Sequence, residues 1–234
     1  MDRIPAKLLL CVCIVGGFVG VAAPPQTEDL SSKVSVPNVP VVSFTQDFPE
    51  STPSHYSLRV AKNGKASYES MGKLTPEAEG DPFSYTFTMS EANVSRIFEL
   101  AASAKYFDRD VDYKKGRQAN TGKKTLKYED ATRQQQTEYN YSTHSEIQQL
   151  TKSFQSIALT MEFARHLQYF RHYQPLALED DLKRMEEMAK DDDLKELQAI
   201  APILQDIAED KSILNVARVR AQRLLTLGAK PSSQ

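Results

Sequence analysis

The chain has 234 residues, of which 40% are hydrophobic and 26% charged, with a formal net charge of -2. That composition suits a soluble globular protein long enough to bury a core of its own, and it excludes a bulk basic field of the kind that draws in nucleic acid. Both cysteines, Cys11 and Cys13, fall within the first residues, which excludes thiol catalysis, CxxC redox chemistry and cysteine-ligated zinc from the rest of the chain.

Arg3 and Lys7 precede an apolar run from Leu8 to Ala23 broken by Gly16, Gly17 and Gly20. A positive stretch followed by a short apolar one is the layout of a secretory signal peptide, too short and glycine-rich for a permanent span. Gly20 and Ala22 form a small-x-small cleavage site, so residues 1–22 are expected to be removed. Neither cysteine is preceded by Gly, Ala or Ser, so lipid attachment is not expected. Residues 23–39 carry Pro24, Pro25 and Pro37 among Ser, Thr and acids, the composition of an extended linker.

The folded part is expected over residues 40–173. Val41, Val42 and Phe44 suggest a first strand. Tyr56, Leu58 and Val60 alternate with polar residues, Asn63-Gly64 supplies a two-residue type I′ turn, and Ala66, Tyr68 and Ser70 run back. After a polar loop from Gly72 to Pro82, Phe83, Tyr85, Phe87 and Met89 alternate as the strand on which the remainder is organised. The period then changes. Ser90 caps a helix, Met89 and Val94 form a hydrophobic staple, and Val94, Ile97, Phe98, Ala101 and Ala104 form one apolar stripe.

A second hairpin is expected from Leu126 and Tyr128 through a turn at Glu129 to Thr132, returning with Thr137, Tyr139 and Tyr141. Thr143 and Glu146 have capping-box spacing, and Ile147, Leu150, Phe154, Ile157, Met161 and Ala164 predict a long helix ending near Tyr173, before Pro175. Residues 176–228 read as a helical tail with stripes at Leu182–Met188, Leu194–Ile207 and Ile213–Leu224. Pro202 should kink or restart the second of these, and Asp191 to Asp193 and Asp210 should open helices. The fold class is α+β: an antiparallel sheet of about five strands with two helices on one face, followed by the α-helical tail. The tail is expected to dock through Leu197, Leu204 and Leu224, on the domain or on a protein partner.

Tyr56, Leu58, Val60, Asn63, Gly64, Tyr68, Tyr106 and Phe107 resemble, at matching places, a family of uncharacterised secreted bacterial domains. These open with a hairpin and continue with a strand, a helix ending at Tyr-Phe, a second hairpin and a helix. The resemblance covers residues 40–165 and implies that fold and an export route, with no activity. Related families carry a Cys-x-Gly-x-Cys-Pro segment where this chain has Phe48 to Pro53, so nothing tied to those cysteines carries over. The tail is similar to one HEAT-type helix pair, with Ala201–Leu204 in its first helix and Val216–Ala221 in its second.

Asp108, Asp110 and Asp112 open like a calcium loop, but Tyr113 and Ala119 stand where that pattern requires Gly and Glu. His166 and His172 are six apart, and His55 and His144 are isolated, so none makes the i, i+4 pair of a zinc helix. Glu91, Glu99 and Glu146 read as cap or solvated-face residues. The basic stretch from Lys114 to Lys127, flanked by Tyr113 and Tyr128, suggests either an anionic polymer or lysines guarding an edge strand. Asn93 and Asn140 lie in glycosylation sequons read as accidental.

No residue is assigned a catalytic, cofactor-binding or metal-ligating role. The expected function is an exported interaction or binding module of the bacterial cell envelope, periplasmic or secreted, without a stable membrane span once the leader is cut. A small envelope enzyme is the alternative.

Overall fold

A computed structural model describes residues 39–74 and 80–229. The leader and nearly all of the linker lie outside the described residues. Among those described, no helix is long and apolar enough to cross a membrane.

Six antiparallel strands form one sheet: β1 (Val41–Asp47), β2 (His55–Ala61), β3 (Lys65–Gly72), β4 (Asp81–Thr88), β5 (Lys123–Glu129) and β6 (Gln134–Tyr139), in the order β4-β3-β2-β1-β5-β6. That is one strand more than expected. The centre of the sheet is β1, paired along its whole length with both β2 and β5. The sequence had placed the organising strand at Phe83 to Met89; β4 is instead an edge strand whose Phe83, Tyr85 and Phe87 are only half-buried. The clean alternation of β4 marks a strand with one solvated face, whereas Val41, Val42, Ser43 and Phe44 of β1 are all buried and so show no alternation.

The β2–β3 hairpin closes with three residues rather than the expected two. Gly64 donates its N–H to Ala61 O at 2.9 Å and has φ of 84°, while Asn63 is not left-handed. This is a turn followed by a left-handed glycine, and Asn63 contributes by accepting the Lys65 N–H on its side chain at 3.2 Å.

The sheet's inner face carries two helices, α1 (Glu91–Ser103) and α2 (Ser145–Tyr173). Ser90 caps α1 by accepting the Asn93 N–H, and Met89 and Val94 are buried as the staple required. The capping box of α2 is not formed. His144 is the N-cap without a side-chain bond, and Glu146 is bonded to Arg109 instead. Helix α1 is followed by three left-handed residues, Lys105, Tyr106 and Phe107. They drop Phe107 into the core and lay Tyr106 on Tyr128, ring centroids 4.5 Å apart.

The tail comprises α3 (Pro175–Lys190), a short 3-10 turn at Leu197–Ile200, α4 (Ala201–Glu209) and α5 (Asn215–Gly228). Pro202 does sit at the start of a new helix. Asp191 and Asp210 close α3 and α4 rather than opening helices; Asp210 spends its carboxylate on the Ser212 turn and on Arg171. Leu197, Leu204 and Leu224 are all buried in the same hydrophobic cluster as Phe44 and Leu58. All the described residues fall in one compact unit.

Candidate functional site

Helix α2 decides where a site can be. It runs diagonally under the sheet: Tyr139 of β6 shares a hydrogen bond with Thr151 (2.7 Å), Phe44 of β1 stacks on Phe154 (5.3 Å), and Tyr68 of β3 reaches Glu162 (2.8 Å). Ile147, Leu150, Phe154, Ile157 and Met161 face inward and are buried. Phe163, Leu167 and Phe170 are buried too, so the helix is apolar well beyond a single stripe, as befits an element packed between sheet and tail. What remains is one flank, from Gln148 through Lys152, Gln155, Leu159 and Glu162 to His166, roughly 27 Å long at 1.5 Å per residue.

That flank is the wall of two clefts. The first, about 330 Å³, lies among Pro53, Tyr56, Tyr68, Leu159, Phe163 and Arg184, with Glu162 and His166 contributing polar atoms. The second, about 290 Å³, lies among Lys124, Tyr139, Asn140, Gln148, Thr151 and Lys152. Gln155 lines both, so they meet at its side chain. Both are of the size of small-ligand sites at the lower end of their range.

At the base of the first cleft sits a buried polar cluster. Glu162 Oε1 accepts hydrogen bonds from Tyr68 Oη (2.8 Å) and Ser70 Oγ (2.5 Å), and its Oε2 lies 3.7 Å from Arg165 Nη1. Arg165 is itself buried; Nη2 donates to the carbonyls of Gly72 (2.6 Å) and Asp81 (3.0 Å), while Nη1 has no hydrogen-bond partner. Gly72 explains itself here, since a Cβ on it would lie 2.9 Å from that Nη1. Burial, reinforced by the Glu162 charge and its hydrogen bond, pushes the Tyr68 phenol far above its ordinary value. Tyr56 is pushed up as well, by burial first and then by Tyr139 and Glu162. Both phenols therefore stay in their neutral form near neutral pH.

The rim is likewise paired. His166 Nδ1 is 3.0 Å from Asp181 Oδ2 on α3, Arg184 lies over the Phe163 ring at 5.4 Å, and Gln46 Oε1 accepts from both Tyr56 Oη and Gln155 Nε2 at 3.0 Å. In the second cleft Lys124, almost fully buried, donates to the carbonyls of Thr121, Gly122 and Asn140, with no ion pair to a carboxylate among the described residues, and burial lowers its pKa.

Of the residues singled out from the sequence for chemistry, His166 lines the first cleft, and Lys124 and Asn140 line the second. His55 pairs with Asp47 at 2.6 Å, His144 is the N-cap of α2, and His172 meets the Tyr173 ring edge-on. Asp110 and Asp112 serve the loop: Asp110 accepts the Asp112 N–H and bonds Lys114, and Asp112 accepts the Asn140 N–H. No group of His, Cys, Asp or Glu suited to a metal ion occurs among the described residues. In the basic stretch, Lys114, Lys123 and Lys127 face Asp110, Glu138 and Glu129. The cluster of Tyr68, Ser70, Glu162 and Arg165 was missed. Its signal was present in Met161-Glu162-Phe163-Ala164-Arg165, two charges set inside an apolar run where a solvated face would not put them.

Compared with known proteins, the chain matches no family model and no curated protein.

Proposed function

We propose that this chain is an exported binding module of the bacterial cell envelope, which holds a small amphipathic ligand, or one side chain of a partner, in the cleft beside Glu162. The observation that carries this reading is the pairing of nearly every polar group there: Glu162 with Tyr68 and Ser70, His166 with Asp181, Tyr56 with Gln46. Such a site has fixed dipoles and aromatic walls, which suit holding a ligand with an apolar body and a few hydrogen-bonding groups. Its phenols are held neutral, and among the described residues no hydroxyl in the cleft is hydrogen-bonded to His166 as a nucleophile would be to its base.

The test is an amide-resolved NMR titration of the full chain with a library of aromatic amines and amides. Shifts confined to Gln155, Leu159, Glu162 and His166 are expected, without turnover. The second reading, a small envelope enzyme, rests on the His166–Asp181 pair sharing a cleft with Glu162. Hydrolysis of a chromogenic ester, amide or glycoside that is abolished by both Glu162→Gln and His166→Gln would establish it. For export, N-terminal sequencing of the secreted chain should begin at Ala23; a start at Met1 would remove the leader from the proposal.

A further inference from the structure

The two sheet edges are guarded differently. On β4, Pro82 removes one backbone donor and the carbonyl of Asp81 is taken by Arg165. On β6, the segment Gln134-Gln135-Gln136-Thr137-Glu138-Tyr139 has no proline and no lysine, and its ladder with β5 runs without a bulge. Proline, lysine and bulges are among the devices that blunt an edge, and β6 has none of these three. Beside it lies a trough of about 530 Å³ lined by Gln135, Gln136, Thr137 and Glu138 on one side and by residues 107–110 and Lys114 on the other. Strand residues that alternate between the two sheet faces line the trough together, so it follows the free edge of the strand.

The outer wall is a braced loop. Lys114 bonds Asp110 at 2.5 Å and Arg109 bonds Glu146 at 3.3 Å. The loop touches the chain just past the end of β6, where Tyr113 N–H donates to Tyr141 O and Asn140 N–H to Asp112 Oδ1. Along β6 itself no described backbone group pairs with the loop. The slot is thus bounded on one side by the strand edge and on the other by the braced loop.

We propose that β6 accepts an extended peptide segment of a partner protein as a seventh strand, seated in this trough. Four strand residues at about 3.4 Å each give a contact of about 14 Å, enough for a short strand. The backbone edge supplies affinity, and the wall supplies preference. Arg109, Lys114 and Glu138 are each engaged with an opposite charge, whereas Asp108, exposed at the trough, makes no hydrogen bond or ion pair among the described residues. The segment therefore carries a lysine or arginine opposite Asp108.

The experiment uses the full chain and a capped hexapeptide alternating valine and threonine with one central lysine. Binding by calorimetry with slowed amide exchange confined to residues 134–139 is expected. N-methylation of alternate peptide nitrogens should weaken it at least tenfold, and exchanging the lysine for glutamate should weaken it about as much. Asp108→Asn, on an exposed side chain, should remove the lysine preference while leaving the melting temperature unchanged. Binding insensitive to N-methylation, shifts confined to the α2 clefts, or no binding would overturn the proposal. So would protection of the β6 amides by dimerisation in the absence of peptide, which would make the edge a contact between two copies.

Discussion

Gly64 shows how a right residue can be chosen for an incomplete reason. Asn63-Gly64 marked the hairpin correctly, but only Gly64 is left-handed, at φ 84°, and Met89 donates its N–H to the Gly64 carbonyl. Gly64→Val should cost about 1 kcal/mol or more through the strained backbone, while Lys65→Ala should be neutral; urea midpoints for the two variants check this. Glu162 is the second decisive residue. Tyr68→Phe leaves Oε1 with Ser70 as its one remaining hydroxyl donor and should cost about 2 kcal/mol. Glu162→Leu strands the Arg165 cation inside the protein and should cost about 3–5 kcal/mol. If chemical denaturation finds Glu162→Leu no worse than Tyr68→Phe, the pair with Arg165 does not hold the cleft. Glu162 and Arg165 stand out as charges in an apolar run, but their link to Tyr68 and Ser70 could not be read from spacing, because those two lie more than ninety positions earlier in the chain.

At the scale of elements, the strands and helices were largely legible because each obeys its own period. Ser90, Met89 and Val94 announce α1, and the Ile147-to-Ala164 spacing announces α2. What escaped was rank: alternation flags strands with a wet face, so β4 looked central and the doubly buried β1 looked minor. The left-handed turn at Lys105–Phe107 has no glycine to announce it. The β5–β6 hairpin yields a pH prediction. Asp130 accepts the Thr132 N–H and hydroxyl and the Arg133 N–H, which hold its carboxyl down at about 2. A depressed carboxylate contributes stability above the unfolded range near 4 and loses it as pH falls toward 2. Asp130→Ala should therefore flatten the decline in stability between those pH values, leaving the slope at pH 5 to 7 unchanged in melts across that series.

For the whole molecule, the question is whether the α+β part expected over residues 40–173 stands alone without the tail. The tail does more than rest on the sheet. Glu196 accepts from Ser90 N–H (2.9 Å), Ser90 Oγ (2.6 Å) and Asn93 Nδ2 (2.5 Å), Tyr85 Oη donates to Ala199 O, and Thr160 Oγ1 to Lys195 O. Removing residues 176–234 would open the start of α1 and bare the flank of α2 that carries Phe163 and Leu167. The fragment is expected to keep strand signal in circular dichroism and to melt over a broad range at lower temperature. A sharp transition near that of the full chain would instead make the tail an independent body. Glu196→Ala in the full chain should cost about 2 kcal/mol by the same contacts.

The Glu196 tie also sets an order of events. The carboxylate that closes the start of α1 comes 106 positions after the serine it binds, and the carbonyl that receives Tyr85 comes 114 positions after it. During synthesis, α1 and the β4 edge must wait, incompletely satisfied, until Glu196 and Ala199 emerge. Contacts of such long range slow folding, and they keep the chain loose until it is whole. A chain interrupted before Glu196 would leave Ser90, Asn93 and Tyr85 without these partners, recognisable to a protease as unfinished.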